Sequence, residues 1–330
     1  MVGNSDSGLA KAFGRVAVVM GGWSAEREIS LRSGSAVLDA LRSSGVDAHA
    51  VDADRFVADK LVSENFDIAF LVLHGRGGED GYVQGAMELA GIPYTGSDVL
   101  GSALAMDKIK SKQICRSIGI RTADWYKVDN VAAAGDAAKE FGFPVIIKPV
   151  SEGSSIGVSK VSEYAVAEAF ELARQYGDVM VERFVKGTEA TVAVVNGKAL
   201  PVVSMDTPNL FYDYEAKYFS DDTHYECPAD FPQDVVDQLQ RSALDAFEAL
   251  GARDWGRVDF IVDKTGDHFF MELNTAPGMT DHSLVPMAAG AVGISFQQLC
   301  LDILSMAKTR AMSAVSDRVH DTPDVVGEAG

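Results

Sequence analysis

Short hydrophobic runs that end in glycine-rich loops alternate with an amphipathic segment in the first third of the chain. Residues 15–20 (RVAVVM) form one such run, and a second run near residue 67 (DIAFLVLHG) continues into GRGGEDG. Between them, residues 26–41 have the spacing of a helix. This alternation predicts parallel βαβ units, whose ligands usually lie at the carboxyl ends of the strands.

The pattern changes after a second helical segment, predicted over residues 102–117. Several short strand-like runs then follow and favour an antiparallel or α+β arrangement, namely FPVIIKP, GVSKV, VMVERFV and ATVAVV. A polar stretch, FYDYEAKYFSDDTHYECP, has little hydrophobic periodicity, and loops of this length are often lids. Beyond it we predict a helix over 235–250, a hairpin over 256–274 and a final helix near 295–308.

Composition and charge exclude several classes of function. The 330 residues are 47% hydrophobic, which is enough for two or three domains. The formal charge of −19 repels nucleic acid and anionic membranes, so we expect neither as a partner. No membrane span or secretory signal is predicted, and three scattered cysteines suit a reducing cytoplasm. The same negative charge repels ATP, so a nucleotide site would need basic residues placed locally.

The clearest local pattern is the hairpin GRVDFIVDKTGDHFFMELN. A four-residue turn, Lys-Thr-Gly-Asp, sets Asp259 opposite Glu272 and Arg257 opposite Asn274, with all four side chains on one face. The other face is predicted to be core and carries Val258, Phe260, Val262, Phe269, Met271 and Leu273. Facing carboxylates repel each other, and bound magnesium would remove that repulsion. A solvated polar face with an Arg–Asp pair explains the same spacing.

One glycine- and serine-rich loop is a candidate phosphate site. No GxxxxGK[ST] motif occurs, so a Walker-type site is excluded. In KPVSEGSSIG, which begins at Lys148, glycines allow close backbone approach while Ser154 and Ser155 add hydroxyl donors. Lys108 and Lys217 also lie beside candidate loops. Each of these features alone fits a flexible hairpin or a solvated charge, but three such lysines in an acidic chain favour an anion site.

Two residues near the first strands have two interpretations each. In GGWSAEREIS, Ser24 fits a helix N-cap, whereas Glu26 at the carboxyl end of a strand fits a partner for an ammonium group. His74 ends the second predicted strand and is either functional or a structural histidine with its hydrogen bonds satisfied.

Together these segments resemble the D-alanine–D-alanine ligase family of ATP-grasp enzymes over residues 15–310. The resemblance is carried by GGWSAEREISLRSG, LHGRGGEDGYVQGAMELAGIPYTGS, MDKIKSK, IIKPVSEGSSIGVSKV, FYDYEAKY, GRVDF and MELNTAPGMTDHSLVPMAA. It implies a mixed α/β and α+β ATP-grasp fold with an N-terminal Rossmann-like domain. The expected parts are a disordered extension 1–14, an N-terminal domain 15–96, a central ATP-grasp domain 97–185, a C-terminal ATP-grasp domain 186–312 with a lid near 208–228, and a disordered tail 313–330.

The resemblance also implies a reaction. The carboxylate of one D-alanine attacks the γ-phosphate of ATP, and the amine of a second D-alanine then attacks the resulting acylphosphate. The products are ADP, phosphate and the dipeptide used for peptidoglycan precursors. The implied ligands are ATP, two Mg²⁺ ions (or Mn²⁺) and two D-alanine molecules, and the implied assembly is a cytoplasmic homodimer.

Roles for individual residues follow from the same resemblance. The implied nucleotide site comprises Lys108, Lys148, Ser155, Glu182, Phe184, Val185, Glu189 and Lys217. The implied metal ligands are Asp259, Glu272 and Asn274. The implied amino-acid and oxyanion contacts are Glu26 with the first ammonium, Arg257 and the Gly278 N–H with the oxyanion, Ser283 and Leu284 with the second carboxylate, and His74 near the second amine.

Tyr218 bears on the second substrate. The resemblance implies that it contacts Glu26 through Ser154 and belongs to a lid that excludes water. It argues against D-lactate as the second substrate, and less firmly against D-serine, because one added hydroxyl is hard to reject. A non-catalytic nucleotide-binding regulator would be expected to lack a metal ligand or a phosphate lysine, and all are present. A dinucleotide-dependent oxidoreductase would need a GxGxxG loop, which GGWSAE does not provide.

Overall fold

The protein is described here by a computed structural model over residues 12–206, 224–280 and 283–320. Its strands are β1 (Arg15–Met20), β2 (Asp47–Asp52), β3 (Ile68–Leu71), β4 (Trp125–Val128), β5 (Val145–Pro149), β6 (Ser159–Val161), β7 (Val179–Arg183), β8 (Thr188–Val195), β9 (Lys198–Ala199), β10 (Val203–Asp206), β11 (His224–Glu226), β12 (Trp255–Val262) and β13 (His268–Asn274). Its helices are α1 (Arg27–Ser43), α2 (Val57–Ser63), α3 (Tyr82–Ala90), α4 (Val99–Met106), α5 (Lys108–Ser117), α6 (Val131–Phe141), α7 (Val166–Ala173), α8 (Gln233–Ala249), α9 (Leu284–Ala291) and α10 (Phe296–His320).

The N-terminal strands form a parallel sheet in the order β2-β1-β3. The continuous apolar runs of β1 and β3 are buried on both faces, as expected for a parallel sheet covered by helices. On one face Val18 and Phe70 belong to a core cluster with residues of α1, α9 and α10. On the other face Val19 and Leu71 cluster with residues of α2 and α3. The C-terminal helices therefore complete the core of the N-terminal sheet.

Two antiparallel sheets make up the rest of the fold. The central sheet has the order β4-β7-β5-β6, and α6 and α7 share its core cluster. The C-terminal sheet has the order β11-β10-β8-β12-β13, with β9 paired to β8 and α8 in its core cluster. Ala105 of α4 and Cys115 of α5 also belong to that second cluster. Both helices lie in the range that we expected to form the central domain, yet they pack towards the C-terminal sheet.

The hairpin of β12 and β13 has the predicted register at its open end. Asp259 pairs with Glu272, and Arg257 pairs with Asn274, which confirms the prediction. Residues two apart on a strand share a face, so these four side chains project from the same side of the hairpin.

Nearer the turn, a β-bulge changes the register of the hairpin. Phe260 pairs with Phe270 rather than with Met271. Phe270 is fully buried, whereas Phe269 and Met271 are only partly buried, so our placement of those two residues in the core is wrong. A bulge sets two residues of one strand against one of the other and redirects the side chains that follow it.

Other boundaries also differ from those predicted. The helix expected over 102–117 is interrupted at Asp107, whose carboxylate accepts hydrogen bonds from Ile109 N and Lys110 N, both at 2.9 Å, and caps α5. Phe13, expected in a loose extension, is 1% exposed. The final helix continues to His320, past the expected start of the disordered tail.

The predicted lid lies mostly outside the described residues, which omit 207–223. At its C-terminal end, β11 pairs with β10. In the described ranges, no single helix has the length and apolar character to cross a membrane. The bent pair Leu284–Ala291 and Phe296–Ser313, which turns by 106°, meets that test on length and composition only.

Candidate active site

The larger of two neighbouring cavities lies between the central and C-terminal sheets and has a volume of about 270 Å³. The residues predicted for nucleotide binding that line it are Lys108, Lys148, Ser155, Glu182, Phe184, Val185 and Glu189. Ile261, Phe269 and Met271 also line it. The bulge in β13 thus supplies apolar side chains to this cavity, a contribution that the regular hairpin pattern did not reveal.

A buried ion-pair cluster forms one wall of this cavity. Glu182 Oε2 lies 2.5 Å from Lys148 Nζ, and Glu182 Oε1 lies 2.6 Å from Lys112 Nζ. Burial alone would raise the pKa of Glu182, but its two lysine partners lower that pKa to about 2. Glu182 is therefore a carboxylate at neutral pH, and Lys148 is fixed at the end of β5 beside the cavity.

Lys112 was not among the predicted site residues. It is 1% exposed, and its Nζ also donates to the Phe270 carbonyl at 2.9 Å. The sequence did contain a signal, because Lys112 follows Lys108 by four residues on α5 and so lies on the same helix face.

Glu272 borders both cavities. It lines both the larger cavity and the smaller neighbouring one, and its Oε2 lies 3.0 Å from Lys108 Nζ. Lys108 Nζ also donates to the Glu152 carbonyl at 2.6 Å. Although burial opposes the charged form, Glu272 and its acidic neighbours keep the pKa of Lys108 above its usual value. The lysine is therefore a fixed positive charge where the cavities meet.

The predicted metal ligands lie together on the polar face of the hairpin. Asp259 accepts hydrogen bonds from Arg257 Nε at 2.8 Å, from Thr191 Oγ1 at 2.6 Å and from Asn274 Nδ2 at 3.0 Å. The Arg–Asp pair that we considered as the alternative is thus present. Each of the facing carboxylates has a basic partner: Arg257 for Asp259 and Lys108 for Glu272.

The oxygen atoms of Asp259, Glu272 and Asn274 suit a magnesium ion that the protein and a nucleotide hold jointly. Across the part of the chain that the structure describes, no group of three or more His, Cys, Asp or Glu side chains could hold a metal ion by itself. Two carboxylates and an amide oxygen do match the few protein ligands that Mg²⁺ takes when phosphates complete its coordination. The hairpin therefore suits a metal that arrives with ATP rather than one in a closed protein cage.

The smaller cavity contains the predicted amino-acid contacts. It is lined by Glu26, His74, Ser154, Arg257, Gly278, Ser283 and Leu284. Glu26 is 5% exposed, and its Oε1 accepts a hydrogen bond from Ser154 Oγ. Its buried Oε2 has no hydrogen-bond partner among the described residues. A buried carboxylate oxygen without a donor is rare in proteins and suits a cationic ligand.

Ser24 connects the first loop to the end of β3 instead of capping α1. Ser24 Oγ donates to the His74 carbonyl at 2.7 Å and accepts from Glu26 N at 3.1 Å. The helix begins at Arg27 with Glu26 as its N-cap residue, and no side chain caps it. The loop therefore places Glu26 in the cavity at the carboxyl end of the parallel sheet.

His74 has a partner at both ring nitrogens. Nδ1 lies 2.8 Å from the Ala276 carbonyl, and Nε2 lies 3.3 Å from Ser33 Oγ. A carbonyl can only accept, so Nδ1 carries the proton and Nε2 is the acceptor. Burial lowers the pKa of His74, which keeps the ring neutral. This arrangement favours a positioning role for His74 over that of a free base.

Glu79 is a second site residue that we did not predict. It lines the smaller cavity and accepts hydrogen bonds from Gly75 N at 2.8 Å and Ala276 N at 3.1 Å. Burial, together with the charge of Glu26, raises the pKa of Glu79 to about 8. The only signal in the sequence was an acidic residue within the glycine-rich loop GRGGEDG.

Two predicted residues, Lys217 and Tyr218, lie outside the described residues. Ser283 Oγ accepts from Thr280 N at 2.8 Å and lies beside Gly278, where a Cβ would be 2.9 Å from it. Gly278, Ser283 and Leu284, the first residue of α9, thus line the same smaller cavity.

Family profiles match two parts of the chain. The profile described as D-ala D-ala ligase N-terminus matches residues 54–97, and the profile described as D-ala D-ala ligase C-terminus matches residues 114–305. A D-alanine–D-alanine ligase from Ectopseudomonas mendocina (strain ymp) is 51% identical over 297 residues, which are 89% of this chain and 95% of the relative.

Solved structures of related enzymes have the same fold. D-alanine–D-alanine ligase from Bacillus anthracis complexed with ATP superposes with a TM-score of 0.78 at 33% identity, covering 91% of this chain and 98% of that one. VanG D-Ala:D-Ser ligase from Enterococcus faecalis has a TM-score of 0.76 at 29% identity, covering 89% and 99%. Sequence and structure thus agree along most of the chain, which belongs to the D-alanine–D-alanine ligase family.

Proposed function

We propose that this chain is an ATP-dependent D-alanine–D-alanine ligase that makes D-alanyl-D-alanine for peptidoglycan precursors through a D-alanyl phosphate. Its relatives from Ectopseudomonas mendocina and Bacillus anthracis bear that name, and the latter was solved with ATP. The observation that carries the proposal is the buried Oε2 of Glu26, which has no hydrogen-bond donor among the described residues. An ammonium group supplies both the charge and the donors that this oxygen lacks.

In this proposal the larger cavity binds ATP. Phe184, Val185 and the side chains redirected by the β13 bulge would contact the adenine, with Glu182 beside it. Glu189 would accept hydrogen bonds from the ribose hydroxyls. Lys108, Lys148 and Lys217 would neutralise phosphate oxygens during transfer, with Ser155 as an added donor, because phosphoryl transfer depends mainly on positioning and charge stabilisation.

Two Mg²⁺ ions, or Mn²⁺, would be held by Asp259, Glu272 and Asn274 together with the phosphates. When bound, they would neutralise the negative charge that develops on the phosphate oxygens. The in-register pairing of Asp259 with Glu272 supports this assignment.

The smaller cavity would hold both amino acids. Glu26 would bind the ammonium group of the first D-alanine and so orient this substrate with its own carboxylate facing the γ-phosphate of ATP. Arg257 and the Gly278 N–H would stabilise the oxyanion when the second amine attacks the acyl carbon. Ser283 and Leu284 would bind the second carboxylate, with His74 close to the second amine. Tyr218, bound to Ser154, would help the lid exclude water from the acylphosphate.

We further propose that the protein is a cytoplasmic homodimer with N-terminal, central and C-terminal domains over 15–96, 97–185 and 186–312. The likeness to the Enterococcus faecalis D-Ala:D-Ser ligase makes D-serine the competing second substrate. The higher identity of the relatives named for D-alanine favours D-alanine.

Purified protein with ATP and Mg²⁺ tests the proposal. Phosphate and dipeptide are measured with D-alanine, L-alanine, or D-alanine mixed with D-serine or D-lactate. We expect equal amounts of phosphate and D-alanyl-D-alanine with D-alanine alone, and almost none of either with L-alanine. Phosphate release that does not depend on the amino acid would contradict the proposal.

A further inference from the structure

Arg76 connects the glycine-rich loop after β3 to the serine loop, defined here as residues 151–157. Arg76 Nε lies 2.6 Å from Glu152 Oε1, and Arg76 Nη2 donates to the Tyr176 carbonyl. The Arg76 side chain is 50% exposed, whereas that of Glu152 is 11% exposed. The ion pair thus reaches from the surface to the edge of the nucleotide cavity, which Glu152 lines.

The serine loop needs such support because part of its backbone is strained. Ser154 and Ser155 have φ values of 48° and 58°, in the left-handed region. Residues other than glycine adopt this conformation at an energetic cost, and only where the surroundings determine it. Neighbours that hold the loop from outside are Glu26, which binds Ser154, and Lys108, which binds the Glu152 carbonyl. Arg76 adds an anchor on the Glu152 side chain.

Arg76 also determines which cation Glu152 meets. Burial raises the pKa of Glu152, as does nearby Glu26, while Arg76 and Lys108 act in the opposite direction. If Arg76 were absent, Lys108 would be the one of these two cations that remains to attract the Glu152 carboxylate. Glu152 would then compete with phosphate for a lysine that already contacts Glu272.

We propose that Arg76 is a positioning residue that, by binding Glu152, fixes the serine loop with Ser154 against Glu26 and keeps the Glu152 carboxylate away from Lys108. Gly75 and Gly77, with φ values of 68° and 84°, shape the turn that presents Arg76. The inference rests on the proposed function, because it assigns Arg76 to the site where the first D-alanine and the γ-phosphate meet.

A double-mutant cycle with Arg76→Met and Glu152→Gln tests the contact. Each single variant should lower kcat/KM for D-alanine by about tenfold, within the range measured for residues in direct contact. The double variant should have a kcat/KM for D-alanine no lower than that of the less active single variant, because all three variants lose the same contact. Losses that multiply in the double variant would overturn the proposal.

A second measurement separates positioning from general stability. With the serine loop misplaced, more acylphosphate should be lost to water, so Arg76→Met should release more phosphate per dipeptide than the wild type. The matched control is Arg121→Ala, since Arg121 is 58% exposed, pairs with Asp267 and lines neither cavity. Arg121→Ala should release as much phosphate per dipeptide as the wild type, with a Tm similar to that of Arg76→Met. The same ratio in both variants would overturn the proposal.

The wild-type protein separates this inference from the proposed function. If the wild type makes no dipeptide, the proposed function fails. If the wild type is active and Arg76→Met behaves as Arg121→Ala does, only the role of Arg76 fails.

Discussion

Ser154 Oγ donates a hydrogen bond to Glu26 Oε1, whereas Oε2 of the same carboxylate has no donor among the described residues. The two residues are 128 positions apart. Glu26 follows β1 of the N-terminal sheet, and Ser154 follows β5 of the central sheet. One oxygen therefore fixes the orientation of the carboxylate across this boundary, and the other remains available to a ligand.

Gly153→Ala should obstruct that available oxygen. A Cβ at Gly153 would lie 2.9 Å from Glu26 Oε2, so the carboxylate must move. We expect the KM for D-alanine to rise about tenfold, since overpacking a tight site costs about 1–3 kcal/mol. The KM for ATP should change much less. Steady-state kinetics with each substrate varied in turn measure both effects.

Gly135→Ala is the control for this substitution. A Cβ at Gly135 meets nothing within 4 Å, and the residue lies inside α6. Alanine there should stabilise the helix by about 0.5–1 kcal/mol without changing either KM. An unchanged KM for D-alanine in Gly153→Ala would argue against Glu26 as the ammonium site.

Glu272→Gln should remove at least about 100-fold of the dipeptide-forming activity, because metal-linked charge stabilisation is worth several kcal/mol. The substitution keeps the shape of the side chain, so the circular dichroism spectrum should match the wild type. Exposed Glu248→Gln on α8 is the control and should remain fully active. A fully active Glu272→Gln variant would refute the metal assignment.

Lys112→Met should weaken both the fold and nucleotide binding. It leaves buried Glu182 with Lys148 as its remaining lysine partner, and breaking a buried pair costs about 3 kcal/mol. Lys148 would then be held more strongly by Glu182, and the KM for ATP should rise. Urea unfolding and ATP kinetics measure the two effects. Exposed Lys110→Met on the same helix should change stability by less than about 0.5 kcal/mol. Equal stability of the two variants would contradict the buried-pair interpretation.

Glu79→Gln should change how stability depends on pH. The pKa of Glu79 is about 8 in the folded protein, against an ordinary value of 4.5. The folded chain therefore binds this proton more tightly than the unfolded chain. The wild type should lose stability relative to Glu79→Gln as the pH rises from about 4.5 to about 8.

The free energy of unfolding of both proteins, measured across that pH range, tests this prediction. Glutamine also loses a hydrogen bond to the Gly75 or Ala276 amide, but that loss shifts the difference by a constant amount. The slope of the difference with pH is therefore the decisive quantity. A flat difference would show that Glu79 titrates normally.

Alternation of side chains predicted the polar face of the last hairpin, although the predicted turn was one residue too short. A period of two residues and a four-residue turn predict the pairing of Asp259 with Glu272, but in the structure Val262 pairs with His268, so the turn has five residues and the bulge restores the predicted register. The bulge at Met271 could not be predicted in this way, because Phe269, Phe270 and Met271 are all apolar. Only packing decides which of the three enters the core and which line the larger cavity.

Residues that act through long-range contacts were the hardest to predict. Glu79 and Arg76 lie in a loop that we identified, but their partners Ala276 and Glu152 are 197 and 76 positions away. Glu26 was easier, because a strand end followed by a helix places it at a sheet edge where ligands usually bind. Of the two interpretations of the first loop, the helix cap by Ser24 is not observed, since Glu26 is the N-cap residue and Ser24 Oγ donates a long-range hydrogen bond to the His74 carbonyl.

Because Glu272 borders both cavities and pairs with Lys108, we expect occupation of one cavity to change the electrostatic field in the other. A triphosphate would compete for the lysine and alter the field that an incoming zwitterion experiences. The enzyme should therefore show heterotropic cooperativity between nucleotide and amino acid. By thermodynamic linkage, each must change the affinity for the other by the same factor.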